Sequence, residues 1–599
     1  MTPALSKRIP SLEWIRNYRR EDLSGDLTAG LTVAVMLIPQ GMAYALLAGL
    51  PPIIGLYASI IPLAIYALFG TSRQLAVGPV AMVSLLVATG VGAIAQPGSS
   101  EFIAYAILIS LMVGVIQLAM GVFRLGFLVN FLSHPVVSGF TSAAALIIGF
   151  SQLKHLMGVD LQRSHHIHSI IWQALEKLGE INPLTLAIGL GSVVLLMVLK
   201  RLKKTFPAAL AVVTLGTLAV WLLGLSEKGV AIVGAVPAGL PGPTLPMLDA
   251  KALMALFPMA LTISFVGFME SISVAKAVAR RHRYEVDANQ ELTGLGLANI
   301  AGSFFSAYPV TGGFSRTAIN DQAGARTPLA SLITAGVIAL ALLFLTPVFY
   351  YLPKAVLAAI IMVAVFGLVD IAEVKHLWRV KRSDLALLLI TFVATLSLGI
   401  EQGILAGVGA SLLWFVVRTT RPHAVLLGRL PGTEIYRDVL THPEAKTLDG
   451  VVALRVDAQF YFGNVNFLKD TLRRLEAEHG PLSAVVVDAS SINQLDSSAA
   501  GAIEEITEDY QDRGINLFFA GVKEPVMHVM RRAHLRDKLG DDAFFMRVHD
   551  AMEAAHIGVL SRARAGSSGA YVVSSTVRGG QDLTGQQAHG LRAAPAPTL

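Results

Sequence analysis

Two ionisable side chains stand in stretches that are otherwise apolar enough to lie in a membrane. Glu270 lies in FVGFMESISVAKA (265–277), and Arg316 lies in SAYPVTGGFSRTAIN (306–320). A charge at membrane depth costs a few kcal/mol or more, roughly, so it is paired or serves a function. A guanidinium offers a full charge and a planar fork that suits an oxyanion. We interpret Arg316 as the cation of an anion site; the alternative is a structural pair with a buried acid, or a side chain that reaches the membrane surface.

The carboxyl group of Glu270 suggests a second kind of chemistry. A buried carboxylate either pairs with a cation or takes up a proton. Carboxylates inside membrane segments are therefore candidates for proton relays. We expect Glu270 to couple anion movement to proton movement, and a purely structural hydrogen bond is the alternative.

A pair of polar side chains interrupts the first apolar run. In PQGMAY (39–44), Gln40 and Tyr44 are four residues apart and share one face of a helix. Their amide N–H and phenol O–H could both donate to an anion. Hydrogen bonding between helices is an equally good interpretation of this pair.

Two breaks in the apolar pattern predict the elements that position these groups. Residues 73–84 carry a Gly-Pro pair before a short apolar helix, and residues 306–320 are too polar and too short to span alone. Irregular backbone at membrane depth is tolerated only beside protein or a water-filled cavity. We expect each break to be an extended approach that ends at the N-terminus of a half-helix. Free N–H groups and the positive dipole end make such a terminus an anion site; simple kinks are the alternative.

The bulk composition agrees with a membrane protein. The chain has 599 residues, of which 15% are charged, and its mean hydropathy is +0.61. A soluble protein carries about 25% charged residues. The absence of cysteine excludes disulfides and thiolate catalysis.

Apolar runs of membrane-spanning length predict fourteen helices, arranged as seven plus seven. They cover about 27–45, 52–69, 78–95, 102–123, 126–150, 184–199, 206–224, 253–279, 288–304, 311–321, 328–347, 353–370, 384–400 and 402–418. An odd number of spans in each half gives an inverted repeat, as in many secondary transporters. VGPV (77–80) and AYPV (307–310) lie 230 residues apart, and Gln40 and Glu270 have the same separation.

Basic residues predict the orientation and the domain limits. Lys and Arg concentrate in alternate connections, which places both termini in the cytoplasm by the positive-inside rule. We predict a cytoplasmic N-terminal segment at 1–26 without a cleavable signal peptide, a transport domain at 27–420, a soluble domain at 435–557 and a disordered tail at 561–599.

The soluble segment alternates strands and helices, which predicts a small α/β sheet. The strands are predicted at 451–457, 483–488 and 515–521, and the helices at 463–479, 497–511 and 525–533. No phosphate-binding loop, nucleophile–base pair or metal cluster is evident, so we expect neither an enzyme nor a cofactor, a metal site or a nucleic-acid partner. Asp496 is expected to cap the helix that begins at Ser497 and Ser498.

The chain resembles the SulP family of anion transporters over about 20–555. The resemblance rests on IPQGMAYALLAGLPPIIGLY (38–57), FGTSRQLAVGP (69–79) and residues 283–320, and the soluble segment resembles a STAS domain through its DSSA turn (496–499). It implies an α-helical polytopic fold like that of uracil permease, with core and gate domains, assembled as a homodimer.

The same resemblance assigns roles to individual positions. It implies an anion between the third and tenth half-helices, at Gln40, Tyr44, Val80, Ala81, Ser315 and Arg316. It places Glu270 at the family's acidic position, where glutamate favours proton over sodium coupling. It matches Ser498 to the phosphorylated position of STAS relatives.

Together these patterns predict proton-coupled sulfate uptake across the cytoplasmic membrane. Sulfate follows from the family resemblance, whereas the anion site follows from the residues. A bicarbonate or C4-dicarboxylate transporter coupled to protons or sodium, and a membrane sensor that signals to a cytoplasmic partner of the STAS domain, are the alternatives.

Overall fold

The computed structural model describes residues 10–127, 133–161, 167–202 and 207–567. The chain divides into two compact units, Met1–Trp414 and Phe415–Leu599. Residues 1–9 of the predicted N-terminal segment and 568–599 of the predicted tail lie outside the described residues. Residues 561–567 continue a helix that ends at Ser567, so disorder does not begin at 561 as predicted.

The first unit is helical, and its helices follow the apolar runs between Pro, Gly and charged breaks. The elements of its first half are α1 (Ser11–Arg16), α2 (Asp22–Ala48), α3 (Pro52–Tyr57), α4 (Ile61–Phe69), β1 (Val77–Gly78), α5 (Ala81–Gly92), α6 (Ser100–Val122), α7 (His134–Ser151), α8 (Leu153–Met157), α9 (Ile167–Glu176), α10 (Pro183–Leu202) and α11 (Ala208–Leu223). Those of its second half are α12 (Ala250–His282), α13 (Ala288–Ser303), β2 (Thr311–Gly312), α14 (Phe314–Gln322), α15 (Leu329–Phe344), α16 (Lys354–Phe366), α17 (Ile371–Val380), α18 (Arg382–Leu398) and α19 (Ile400–Thr420).

Each of the fourteen predicted segments contains a helix or a pair of consecutive helices. Seven stretches of the described residues are long and apolar enough to cross a membrane by length and composition. Four further apolar helices, α5, α10, α11 and α15, are shorter. The helical membrane architecture is therefore confirmed, whereas a count of fourteen crossings stays a prediction.

A two-residue ladder joins the two predicted breaks. Val77 pairs with Gly312 and Gly78 with Thr311, in antiparallel register. Each strand leads within three residues into a helix, α5 or α14, so the extended approach and the half-helix are both present. The ladder continues into α14, where Gly313 N donates to Ala76 O at 3.1 Å and Ala76 N to Thr317 Oγ1 at 3.0 Å.

The observed pairing corrects the predicted internal repeat. The half-helices begin at Ala81 and Phe314, 233 residues apart, rather than at the 230-residue offset of VGPV and AYPV. Val83 therefore occupies the position in α5 that Arg316 occupies in α14.

Buried side chains hold β2 in place because a two-residue strand has too few backbone partners. Asn299 Oδ1 accepts a hydrogen bond from Val310 N at 2.8 Å, and Asn299 Nδ2 donates to Val310 O at 3.1 Å. The side-chain amide thus makes the two bonds that the backbone of a neighbouring strand would make. Ser271 Oγ accepts from Gly312 N at 2.8 Å. These bonds satisfy backbone groups that would otherwise be buried unpaired.

Two buried carboxylates fasten loops to helices. Glu291 on α13, which is fully buried, accepts from the hydroxyl groups of Tyr66 and Thr71 at 2.6 Å each and from two backbone N–H groups. Asp26 on α2 accepts from Thr327 N at 3.0 Å and Thr327 Oγ1 at 2.6 Å. Satisfied carboxylates of this kind stabilise the fold around the ladder.

The second unit is a six-stranded sheet with helices on it. Its elements are β3 (Ala424–Arg429), β4 (Tyr436–Asp438), β5 (Val451–Val456), α20 (Val465–His479), β6 (Ala484–Asp488), α21 (Ser497–Asp512), β7 (Asn516–Ala520), α22 (Glu524–Arg532), α23 (Leu535–Leu539), β8 (Phe544–Phe545) and α24 (Val548–Ser567). The strand order is β4-β3-β5-β6-β7-β8, with β5 to β8 parallel. The six predicted strands and helices are confirmed, and β3 begins eleven residues before the predicted limit of 435.

Asp496 caps α21 as predicted. Its Oδ1 accepts the N–H of Ala499 at 2.8 Å, which satisfies one of the free donors of the first turn. Ser498 lies in that turn and is exposed.

Candidate functional site

One cavity of about 450 Å³ in the first unit contains all seven residues of the predicted transport site. They are Gln40 and Tyr44 from α2, Val80 and Ala81 at the start of α5, Glu270 from α12, and Ser315 and Arg316 from α14. Residues as far apart as 80 and 316 meet there because the ladder brings the starts of α5 and α14 together.

The guanidinium of Arg316 is buried beside the ladder, with 2% of the residue exposed. Its NH1 donates to the carbonyl of Pro79, and its Nε and NH2 have no hydrogen-bond partner in the structure. A Cβ at Gly313 would lie 2.7 Å from the guanidinium carbon, so glycine leaves room for the fork. No acid of the described residues forms an ion pair with Arg316, which argues against the structural pairing that the sequence left open.

The two half-helices present their N-termini without side-chain caps. Neither Val80, which precedes α5, nor Gly313, which precedes α14, caps its helix with a side chain. The N–H groups of the first turn also have no partner within the helix. Because Ala81 and Ser315 both line the cavity, two positive dipole ends border the same space.

Gln40 and Tyr44 form a hydrogen bond to each other on the cavity side of α2. Gln40 Nε2 donates to Tyr44 Oη at 3.2 Å, so the Tyr44 hydroxyl keeps its own hydrogen for another acceptor. Gln40 Oε1 is buried without a partner. Among the described residues the pair makes no bond to another helix, which favours a role toward the cavity.

Glu270 lies on α12 with a half-buried side chain. It lines the cavity together with Arg316, close enough for each charge to affect the other, but the two are not in ion-pair contact. This placement brings a carboxyl group and the anion donors into one space.

Sequence reasoning missed the opposite wall of the cavity. It consists mainly of apolar side chains from α7, α16 and α19, with His134 and Thr141 as polar members; the wall includes Val137, Phe140, Ala364, Val365 and Ile404. Helical spacing predicts that 134, 137 and 141 share a face, but it does not tell whether that face meets lipid, protein or a cavity.

Family comparisons agree with this architecture. The sulfate permease family model matches residues 23–391, and the STAS domain model matches residues 442–551. The chain belongs to the sulfate permease family.

Members of the sulfate permease family match it over most of its length. Chloroplastic sulfate transporter 4.1 of Arabidopsis thaliana is 43% identical over 91% of this chain and 82% of the relative. A probable sulfate transporter of Mycobacterium tuberculosis is 37% identical over 91% of this chain and 97% of the relative. A structure of the murine Solute Carrier 26 member A9 anion transporter in the inward-facing state superimposes with a TM-score of 0.86, at 26% identity, over 93% of this chain and 95% of that one.

These findings establish a membrane anion transporter of the sulfate permease family with a C-terminal STAS domain. Because the matching family and its named relatives are transporters, the comparisons support the expectation that the chain is not an enzyme. The roles of the individual cavity residues remain proposals.

Proposed function

We propose that this protein is a secondary active transporter that takes up sulfate together with protons across the cytoplasmic membrane. The observation that carries the proposal is the meeting of Arg316, two uncapped half-helix N-termini and Glu270 in one cavity.

The anion is proposed to bind between the two half-helices. Arg316 supplies the formal charge through its unpartnered Nε and NH2 atoms, while the backbone N–H groups near Ala81 and Ser315 supply further donors. Gln40 and Tyr44 complete the polar side of the site. Dipole ends alone contribute about 0.3–2 kcal/mol each, so the arginine decides whether a dehydrated dianion is held.

Glu270 is proposed to carry the coupled proton. A spherical cavity of about 450 Å³ is about 9 Å across. Sulfate and an ionised carboxylate at that separation would repel each other by roughly 4 kcal/mol at an effective dielectric constant of about 20. Protonation of Glu270 removes that repulsion, so the proton and the anion favour each other's binding, as linkage requires.

Sulfate is favoured as the cargo because relatives that are 43% and 37% identical to this chain are named sulfate transporters. Bicarbonate and C4-dicarboxylates are rival cargoes, and a sensor that signals through the STAS domain is the rival from another class. A sensor would show anion binding without net flux.

We propose that both termini lie in the cytoplasm and that the cavity opens to that side. The distribution of basic residues and the likeness to an inward-facing transporter support this orientation. A homodimer, a transport domain at 27–420, a soluble domain that includes β3 and therefore starts before 435, and phosphorylation of the exposed Ser498 by a cytoplasmic partner belong to the same proposal.

Uptake of radiolabelled sulfate into proteoliposomes tests the function directly. We expect an inward-directed proton gradient to drive accumulation, and excess unlabelled sulfate to compete better than bicarbonate or succinate. Accumulation that ignores the gradient would refute proton coupling. If sulfate neither enters nor competes, it is not the cargo.

A further inference from the structure

His134 contributes an exposed imidazole to the lining of the cavity that also contains Arg316. Both residues line it, but the His134 side chain is 75% exposed, whereas Arg316 is 2% exposed. The cavity therefore connects an exposed side chain, that of His134, with the buried arginine of the proposed anion site. We call the exposed part of the cavity, which His134 lines, its mouth.

One face of α7 lines the cavity. His134, Val137 and Thr141 line the cavity at helical spacing. Seven residues of helix span about 10 Å at 1.5 Å per residue. An anion beside Thr141 is thus on the order of 10 Å from the imidazole, which is within electrostatic reach.

Several elements packed near His134 carry charged side chains. Its Nδ1 lies 3.2 Å from Glu373 Oε1 on α17. Gly139 packs against Leu388 of α18, whose titratable groups are Arg382 and Asp384. Ser133 bonds to Ser411 of α19, which carries Arg418, and α17 also carries Lys375, His376 and Arg379. Glu270 and Arg316 face His134 along the cavity, α5 carries no titratable side chain, and Lys354 of α16 lies ten residues from the cavity-lining Ala364.

We propose that His134 is a further residue of the transport pathway, a titratable cation at the cavity mouth that raises anion occupancy when it is protonated. This inference rests on the proposed anion transport. Imidazole changes charge between about pH 5 and 8, the range a cytoplasmic mouth would experience. Glu373 Oε1 lies 3.2 Å from the ring and, because its side chain is only 18% exposed, is held beside it. The device would tighten anion binding as the local pH falls.

The expected size of the effect follows from Coulomb's law. A unit charge about 10 Å from a dianion in water-like surroundings changes the dissociation constant roughly fourfold at low ionic strength. Salt reduces it, since the Debye length is about 10 Å at 0.1 M. Measurements therefore belong in low-salt buffer.

The test is calorimetric binding of sulfate to the purified full-length protein at pH 5.5 and 7.5. His134→Lys fixes the charge and His134→Gln removes it. We expect the Lys variant to bind about fourfold more tightly than the Gln variant at both pH values. Relative to both variants, the unsubstituted protein should bind sulfate more tightly at pH 5.5 than at pH 7.5. Because Glu270 is present in all three proteins, its own titration cancels from these comparisons.

His376→Gln is the matched control, because His376 is exposed on α17 and does not line the cavity. It should behave as the unsubstituted protein. Equal affinities of the Lys and Gln variants, or the same shift from His376→Gln, would overturn the role of His134 while leaving anion transport intact. Absence of sulfate binding in the unsubstituted protein at both pH values would overturn the proposed function, and this inference with it.

Discussion

Replacing Arg316 gives the sharpest test of the site, because its functional and structural roles predict opposite outcomes. The side chain is buried but makes a single hydrogen bond, from NH1 to the carbonyl of Pro79. Its other two nitrogens have no partner. Arg316→Met keeps the apolar volume of the chain and removes the charge, and Arg316→Lys keeps the charge but removes the fork.

The size of the loss follows from the two unpartnered nitrogens. A hydrogen bond to a charged group contributes about 1.5–3 kcal/mol. Loss of two such bonds to an anion would weaken binding by about 3–6 kcal/mol, or roughly 10²- to 10⁴-fold. Lysine retains a point charge without bidentate geometry, so we expect a loss of roughly 10- to 100-fold for Arg316→Lys.

Calorimetry measures the affinity for sulfate, and thermal unfolding in the same detergent measures the stability of each variant. A buried ion-paired arginine would cost about 3–5 kcal/mol of stability when removed. Arg316 has no such pair, so Arg316→Met should unfold within a few degrees of the unsubstituted protein while losing sulfate binding. Arg280→Met, on the exposed end of α12, controls for the loss of one positive charge. Unchanged sulfate affinity in Arg316→Met, or a large drop in melting temperature with affinity retained, would refute our reasoning.

Three further substitutions test the elements around this arginine. Glu270→Gln should abolish gradient-driven sulfate uptake while sulfate exchange at equal pH persists, and uptake that still follows the gradient would remove Glu270 from the coupling step. Gly313→Ala places a Cβ 2.7 Å from the guanidinium carbon of Arg316. It should displace the guanidinium group and weaken sulfate binding about tenfold or more. The control is Gly336→Ala, whose Cβ meets no atom within 4 Å and which should bind sulfate normally in the same calorimetric assay. Glu291→Ala leaves the hydroxyl groups of Tyr66 and Thr71 and two backbone N–H groups without their acceptor. The melting temperature should therefore fall by an amount equivalent to about 3 kcal/mol or more. An unchanged melting curve would show that these four hydrogen bonds to Glu291 do not stabilise the fold.

The polar residues that line the cavity can be picked out from the sequence because charge in an apolar run is rare. Arg316 and Glu270 are conspicuous for that reason alone, and the half-helices follow from Gly, Pro and polar residues where a span is expected. The apolar wall is a different matter. Val137 and Ile404 have the same character whether they face lipid, another helix or a cavity, so only the packed structure assigns them.

Boundaries and register are the other limit of prediction. The strand β3 begins four residues after α19 ends, between the predicted last span and the predicted start of the soluble domain, and a single short apolar run does not show by itself which unit it joins. The half-helices start 233 residues apart, because the similarity around Pro79 and Pro309 does not coincide with the helix starts. Antiparallel pairing is a tertiary property that residue identity alone does not reveal.

The ladder between Val77–Gly78 and Thr311–Gly312 has a consequence for how the protein is made. Its two strands belong to opposite ends of about 230 residues of chain. Ribosomes add about 5–20 residues each second, so β1 leaves the ribosome roughly 12–47 s before its partner. Throughout that interval β1, which leads into α5, lacks the backbone partner it has in the finished protein. The binding site is therefore among the last features of the membrane unit to form, and the insertion machinery has to hold an incomplete first half until the second is synthesised.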